Sequence, residues 1–251
     1  MNLAVCLKRV PDTTTKIKIA ADGKSIDPQG VEWAISPYDE IAIELALRLK
    51  EKAGGEVVGI SLDPDGSDGV MRKSLAIGID KGILIKGGVT FDSAATAGIL
   101  AAVLKPRNFD VIFFGKQAID DDAFQVPTIV AHLLGLPRVN LATAFEVDGP
   151  RARCRRQIEG GEESLDLALP CVVSVQKGVN GIHDKRYPSM KGIMAAKSKP
   201  IEALAAPAFE PTLDIVKLEM PAERPPGRIV GKGVEAVPEL VRLLKEEAKV
   251  L

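Results

Sequence analysis

The stretch Asp110-Val-Ile-Phe-Phe-Gly115-Lys-Gln-Ala-Ile-Asp120-Asp-Asp-Ala-Phe-Gln125-Val-Pro-Thr-Ile-Val130-Ala-His-Leu-Leu134 decides the architecture. Residues 110–114 read as a strand, apolar after Asp110, as burial on both faces requires. Residues 123–134 have the length and apolar content of a helix. The polar run from Gly115 to Asp122 joins them, so it sits at the carboxyl end of a buried strand. An open α/β sheet binds its ligands there. The first N–H groups of a helix and its macrodipole also attract phosphate. Asp120, Asp121 and Asp122 can equally cap that helix themselves, so on these residues alone a capped loop and a nucleotide site stand side by side.

The same rhythm extends to both sides. Residues 3–10, 56–62 and 82–86 read as short apolar strands, and residues 36–53, 67–77 and 93–104 as helices. Lys-Ile-Lys-Ile at 16–19 followed by Asp22-Gly23 reads as a hairpin turn into residues 24–27. The helix at 36 has clear punctuation: Ser36 as cap, Pro37 at the first position, Asp39 to complete a capping box, and Gly54-Gly55 as the stop. Strands apolar on both faces and alternating with helices define a parallel sheet covered on both sides. After Phe145 the texture changes. Residues 151–157 and 164–169 flank Gly160-Gly161 as an antiparallel pair, and residues 170–175 re-enter the core. Pro200, Pro207, Pro211, Pro221, Pro225 and Pro226 then break the chain repeatedly. The expected organisation is an α/β domain over 1–199 and an extended arm over 200–251, ending in a helix at 237–250 that lies on a partner subunit.

Composition narrows the function. In 251 residues, 33 Lys and Arg face 34 Asp and Glu, and aromatics make up 4%. Neither a basic excess for phosphate backbones nor stacking platforms for bases are present, which argues against a nucleic-acid partner. Cys6, Cys154 and Cys171 are widely spaced and only two histidines occur, so no disulfide framework or metal centre is expected. Cys171 reads as a buried small hydrophobe and His132 as a satisfied structural histidine. Gly66-Ser67-Asp68-Gly69 lacks the Lys-Ser/Thr of a Walker loop and reads as a cap turn. The arginines at 151–156 read as a solvated strand face partly balanced by Glu159, Glu162 and Glu163. No basic leader precedes the first strand, and no apolar run approaches the roughly 18 residues of a membrane span. A soluble protein of a reducing compartment is expected, in the cytoplasm of a bacterium or archaeon or the mitochondrial matrix of a eukaryote. Finally, Ser189 can cap a short helix with Met190, Ile193 and Met194 on one face and Lys191 and Lys197 on the other. That pattern fits either an ordinary surface helix or a docking segment.

Several of these stretches, in order, resemble the β subunit of electron transfer flavoproteins. Residues 115–122 are similar to that family's nucleotide loop. Arg156-x-x-Glu159-Gly160-Gly161-x-Glu163-x-Leu165-x-x-x-x-Pro170-x-Val172-Val173-Ser174 is similar to its signature, with Cys154 a conservative departure just before it. Residues 186–197 resemble its recognition loop, and Lys8-Arg9-Val10-Pro11-Asp12 and Ser36-Pro37-Tyr38 match as well. The resemblance implies a doubly wound, mostly parallel, Rossmann-like adenine-nucleotide-binding fold. It also implies a heterodimer whose α subunit carries FAD, with AMP in this subunit. Electrons would enter from acyl-CoA-type dehydrogenases and leave to a quinone oxidoreductase, with no catalytic residue on this chain. Carried over position by position, the AMP shell would be Cys6, Ser36, Pro37, Tyr38, Asp39, Leu62, Gly115, Lys116, Gln117, Ala118, Ile119, Asp120, Asp121, Asp122, Ala123, Phe124, Gln125 and Val126. The recognition loop, residues 184–199, would dock partners through Tyr187, Met190, Ile193 and Met194, with Met190 at the position of an anchoring Leu.

Two departures bear on function. Residues 181–185 make a longer connection into the recognition loop than is usual. In electron-bifurcating relatives a second FAD replaces AMP, and their loop carries Thr, Gly and Thr where this chain has Ala118, Asp121 and Ala123. A carboxylate at Asp121 takes up room and opposes a second phosphate, so AMP is favoured and a second FAD is the alternative. A nucleotide-hydrolysing enzyme using Asp120–Asp122 on a metal ion, and a nucleotide-binding homodimer, are the remaining readings.

Overall fold

The computed structural model describes residues 1–87, 92–223 and 226–251; Pro225 of the proline-rich stretch lies outside them. The chain runs β1 (Asn2–Leu7), β2 (Arg9–Pro11), β3 (Trp33–Ile35), α1 (Pro37–Ala53), β4 (Glu56–Asp63), α2 (Gly69–Ile77), β5 (Lys81–Lys86) and α3 (Ser93–Leu104). It continues β6 (Val111–Gly115), α4 (Val126–Leu134), β7 (Arg138–Asp148), β8 (Arg151–Ile158), β9 (Gly161–Ala168), β10 (Cys171–Val175), α5 (Met190–Ala196), β11 (Ile201–Ala205) and α6 (Val237–Glu246).

Nine strands form one sheet in the order β11-β5-β4-β1-β6-β10-β7-β8-β9. The neighbours from β11 to β7 are parallel, and only β7–β8 and β8–β9 are antiparallel. This is the doubly wound α/β fold. Alternation along β1 shows why it is covered twice. Leu3, Val5 and Leu7 enter the core beneath α1 and α2, while Ala4 and Cys6 enter the one beneath α3 and α4. The winding reverses between β1 and β6, opening a crevice at their carboxyl ends. The antiparallel extension is locked on by Phe145 of β7, which meets Phe113 of β6 edge to face at 5.3 Å.

Several sequence expectations need correction. Helix α4 begins at Val126, not at residue 123, because Phe124 takes a left-handed φ of 59° that no helix continues through. Ser36 stands at the cap of α1 but makes no side-chain capping bond, and Asp39 turns away from it, so the capping box is absent. His132 is exposed rather than a satisfied structural histidine. The β8 arginines do face solvent, but Arg151 and Arg153 pair with Asp166 and Asp148, and only Arg155 and Arg156 use the expected Glu162 and Glu163. The 16–27 hairpin forms as read: Ile19 and Ile26 bridge antiparallel, with Ala20 N–H on Ser25 O and Asp27 N–H on Lys18 O, each at 2.8 Å. Cys171 is fully buried as expected.

Beyond β5 the sheet takes in Ile201–Ala205 of β11 as a parallel edge strand, so the extended stretch starts after it. Phe209 then lies on α3 so closely that a Cβ at Gly98 would meet its ring at 2.1 Å. Asp92, buried at the start of α3, accepts from Thr212 Oγ1 at 2.9 Å and Leu213 N–H at 3.0 Å. Leu218 N–H reaches Gly23 O at 2.8 Å. From there to the end, Ile229, Val234, Val237, Leu240 and Val241 are exposed. Among the described residues no helix is long and apolar enough to cross a membrane.

Candidate functional site

The crevice at the ends of β1 and β6 is the mouth of a cavity of about 790 Å³, within the roughly 300–1,000 Å³ typical of small-molecule sites. Of the residues assigned to the nucleotide shell, Cys6, Asp39, Leu62, Gly115, Lys116, Gln117, Ala118, Ile119, Asp120, Asp121, Ala123, Phe124, Gln125 and Val126 line it. Ser36, Pro37, Tyr38 and Asp122 are not among the lining residues, though three of them touch the loop that is. Ser36 Oγ donates to Gln117 O at 3.4 Å, and the Tyr38 ring lies 4.8 Å from Lys116 Nζ. Asp122 accepts from the Gln117 side-chain amide. Residues far apart in sequence, from Cys6 to Val126, are thus brought into one wall.

Asp39 is the joint. It sits in the first turn of α1 and accepts Lys8 N–H at 2.8 Å and Gly115 N–H at 3.0 Å, tying the ends of β1 and β6 together. Burial raises its carboxyl pKa to about 7, against the two backbone donors and the Lys8 charge. Gly115 is required for this closure, since a Cβ there would lie 2.5 Å from Asp39 Oδ1 and 2.7 Å from Asp39 N. Burial and, second, the Asp39 charge hold the Cys6 thiol well above its ordinary range, so it lines the cavity as an inert group.

The aspartates do not cap α4. Lys8 Nζ bridges Asp120 Oδ1 at 2.9 Å and Asp121 Oδ2 at 2.7 Å, and Asp121 Oδ1 accepts Ala123 N–H at 3.1 Å. Burial works against the Lys8 charge, but these two carboxylates outweigh it and raise the lysine's pKa. Asp122 and Phe124 both adopt positive φ, 47° and 59°. Such conformations cost a non-glycine residue energy and cluster at binding loops. Lys116 Nζ, 5.5 Å from the Phe124 ring, is thereby held between two aromatic faces. Among the described residues no group of three or more His, Cys, Asp or Glu is placed to hold a metal ion. Two lining residues carry buried atoms without a hydrogen-bond partner among the described residues, Gln117 Oε1 and Thr15 Oγ1. A buried acceptor in that state calls for a ligand donor or water.

Sequence reasoning missed another part of the cavity wall. Arg9, Thr15, Ile26, Trp33 and Asp92 line it. Arg9 bonds Asp63 at 2.8 Å and stacks at 4.0 Å over Trp33. Nothing local announces these contacts; only the cap position of Asp92, directly before Ser93, was open to a sequence reading. The second assigned surface is α5. Its cap forms as expected, with Gly192 N–H on Ser189 Oγ at 3.0 Å. Tyr187, Met190, Ile193 and Met194 are all exposed, Met190 at 79%. An ordinary surface helix would turn these side chains inward; here only Ala196 is buried.

A family model described as the electron transfer flavoprotein domain matches residues 24–209. The electron transfer flavoprotein subunit beta of Syntrophomonas wolfei is 41% identical over 241 residues, covering 96% of this chain and 92% of the relative. The subunit of the same name from Bacillus subtilis is 37% identical over 262 residues, and the mitochondrial one from Arabidopsis thaliana 37% over 256, each spanning both chains in full. These likenesses run through the cavity, the exposed helix and the terminal arm alike. A doubly wound sheet with a lined crevice at its switch point, carrying these sequences end to end, therefore belongs to the electron transfer flavoprotein β-subunit family.

Proposed function

We propose that this β subunit holds AMP in the crevice between β1 and β6 and serves as the non-catalytic half of a heterodimeric electron carrier. The observation that carries the reading is the unpartnered Gln117 Oε1 inside a cavity lined by the nucleotide loop. Gln117 would accept from the nucleotide and Lys116 would offer positive charge, while Lys8 keeps Asp120 and Asp121 from repelling the phosphate. The arm that follows β11, with its exposed apolar side chains, fits a role in bracing the FAD domain of the α subunit. Tyr187, Met190, Ile193 and Met194 supply a docking face for acyl-CoA-type dehydrogenases, and a quinone oxidoreductase takes the electrons onward. FAD, held by the α subunit, supplies the redox chemistry. We place the carrier in the bacterial or archaeal cytoplasm, or in the mitochondrial matrix of a eukaryotic source.

A second reading has its own observation. The cavity continues past the nucleotide loop to Trp33, Thr15 and Asp92, longer than the mononucleotide shell alone. A second FAD in place of AMP, as in the electron-bifurcating branch, would use that length. Asp121 opposes it by volume; its charge is largely met by Lys8. The deciding experiment is to purify the chain with its α subunit, denature the complex and quantify both nucleotides. One FAD and one AMP per heterodimer support the first reading. Two FAD and no AMP overturn it in favour of the second, and Mg²⁺-dependent nucleotide turnover would overturn both.

A further inference from the structure

The exposed helix α5 is held in place by charge along α1. Glu40, Glu44 and Glu51 lie at intervals of four and seven residues, so they form one stripe spanning about 16 Å of the helix. The chain entering α5 is bonded to that stripe at two successive positions. Lys185 Nζ meets Glu40 Oε1 at 2.8 Å. Arg186 then engages two carboxylates with one guanidinium. Its Nε donates to Glu44 Oε2 at 2.8 Å and one Nη to Glu51 Oε1 at 2.6 Å, while the other Nη spans Glu44 at 3.4 Å and Glu51 at 3.3 Å. Glu44 is buried, its side chain 7% exposed, and it takes a further bond from Arg48 Nε at 2.6 Å. A planar guanidinium can satisfy two carboxylates at once in this way, and an ammonium cannot. The bonds to Glu51 and Glu44 raise the Arg186 pKa, and the bond from Arg186 lowers that of Glu51.

Three residues after Arg186 the chain caps α5, and beyond the cap the helix is seated on α2. A Cβ at Gly192 would lie 2.4 Å from Ala76 O, and Arg72 donates to the carbonyls of Ala196 at 2.9 Å and Lys199 at 3.0 Å. One end of the helix is therefore fixed by backbone contact and the other by Arg186. The apolar side chains of Tyr187, Met190, Ile193 and Met194 remain exposed, at 42–79%.

We propose that Arg186 is a positioning residue for partner docking: by bridging Glu44 and Glu51 it holds the entry to α5 so that Tyr187, Met190, Ile193 and Met194 are presented preorganised to the dehydrogenase. This rests on the docking reading above. Releasing the entry would make each encounter bear the cost of ordering it. The α1 helix that bears the stripe also carries Asp39 at its first turn, so docking face and nucleotide cavity share one rigid element.

The test uses the heterodimer as electron acceptor for a purified acyl-CoA dehydrogenase. Arg186→Gln is expected to raise the KM for the heterodimer roughly tenfold with kcat within about twofold, the pattern of lost uniform binding. FAD and AMP content should stay at the wild-type value. Arg186→Lys should recover only part of the loss. Glu51→Gln, on the exposed side of the stripe, removes half the bridge without unpairing a buried charge and should raise KM about threefold; combined with Arg186→Gln it should add nothing further. A KM unchanged in both Arg186→Gln and Glu51→Gln, with Met190→Ala strongly impaired, overturns the positioning role and leaves docking through α5 standing. A KM unchanged in Met190→Ala as well overturns the docking reading and the positioning role with it.

Discussion

Asp39→Asn probes the joint of the cavity between β1 and β6, the proposed AMP site, with one atom changed. In the wild type the two carboxylate oxygens accept Lys8 N–H at 2.8 Å and Gly115 N–H at 3.0 Å. An asparagine has the same shape but only one acceptor; its amide nitrogen must face the other N–H, donor against donor. One buried backbone N–H then loses its partner, at about 1–3 kcal/mol. Because both donors belong to the cavity wall, most of that cost should fall on ligand affinity, a loss of about 5- to 150-fold for AMP. Isothermal titration of nucleotide-stripped heterodimer with AMP at pH 8 measures it. The pH dependence sharpens the prediction. Burial raises the Asp39 pKa to about 7, so below that pH the wild-type carboxyl is protonated and surrenders one acceptor itself. The gap between wild type and Asp39→Asn should therefore narrow at pH 6. The same raised pKa has a stability consequence. The folded chain binds a proton that the unfolded chain releases near the ordinary aspartate value of 3.8. That stabilisation is fully present below the unfolded pKa and is lost as pH rises through about 7, with a slope approaching about 1.4 kcal/mol per pH unit. Asp39→Asn should lack that slope. Equal AMP affinity in variant and wild type at pH 8 would refute the joint, and a gap that stays constant from pH 8 to 6 would show the carboxylate ionised throughout.

Other sites yield simpler expectations. Gly115→Ala forces a Cβ against backbone and carboxylate of Asp39, so AMP should be absent from the purified heterodimer; wild-type occupancy would mean that β6 and α1 can move apart. Asp121→Gly removes volume from the loop while Asp120 keeps Lys8 engaged, and a competition assay should show FAD gaining on AMP. No gain would place the discrimination elsewhere. Asp92→Ala removes the acceptor for Thr212 and Leu213, and limited proteolysis should cut near residue 212 several times faster, since local opening rather than global unfolding governs such cleavage. An unchanged cleavage rate would show that Phe209 against Gly98 holds the arm unaided.

What could be read without coordinates was whatever local physics encodes. Continuous apolar runs marked β1, β4, β5, β6 and β10, the Gly160-Gly161 turn marked β8 and β9, and Ser189 marked the start of α5. β7 escaped because its pattern is half-buried and mixed, parallel to β10 on one edge and antiparallel to β8 on the other. β11 escaped because Pro200 and Pro207 bracket it, and its five residues gain strand character only from the open edge of β5. Composition and order of residues thus determined a two-sided parallel sheet and marked the loop after β6 that lines its crevice. The tertiary structure alone decided how that loop is held. Lys8 reaches Asp120 and Asp121 across more than a hundred residues, and Asp39 leaves the capping box that its spacing offered. Arg186 finds Glu44 and Glu51 in the same way. A charge at distance along the chain leaves no periodic trace, and a buried carboxylate takes whichever donors the packed fold brings to it, because an unmet buried group costs more than a local cap contributes.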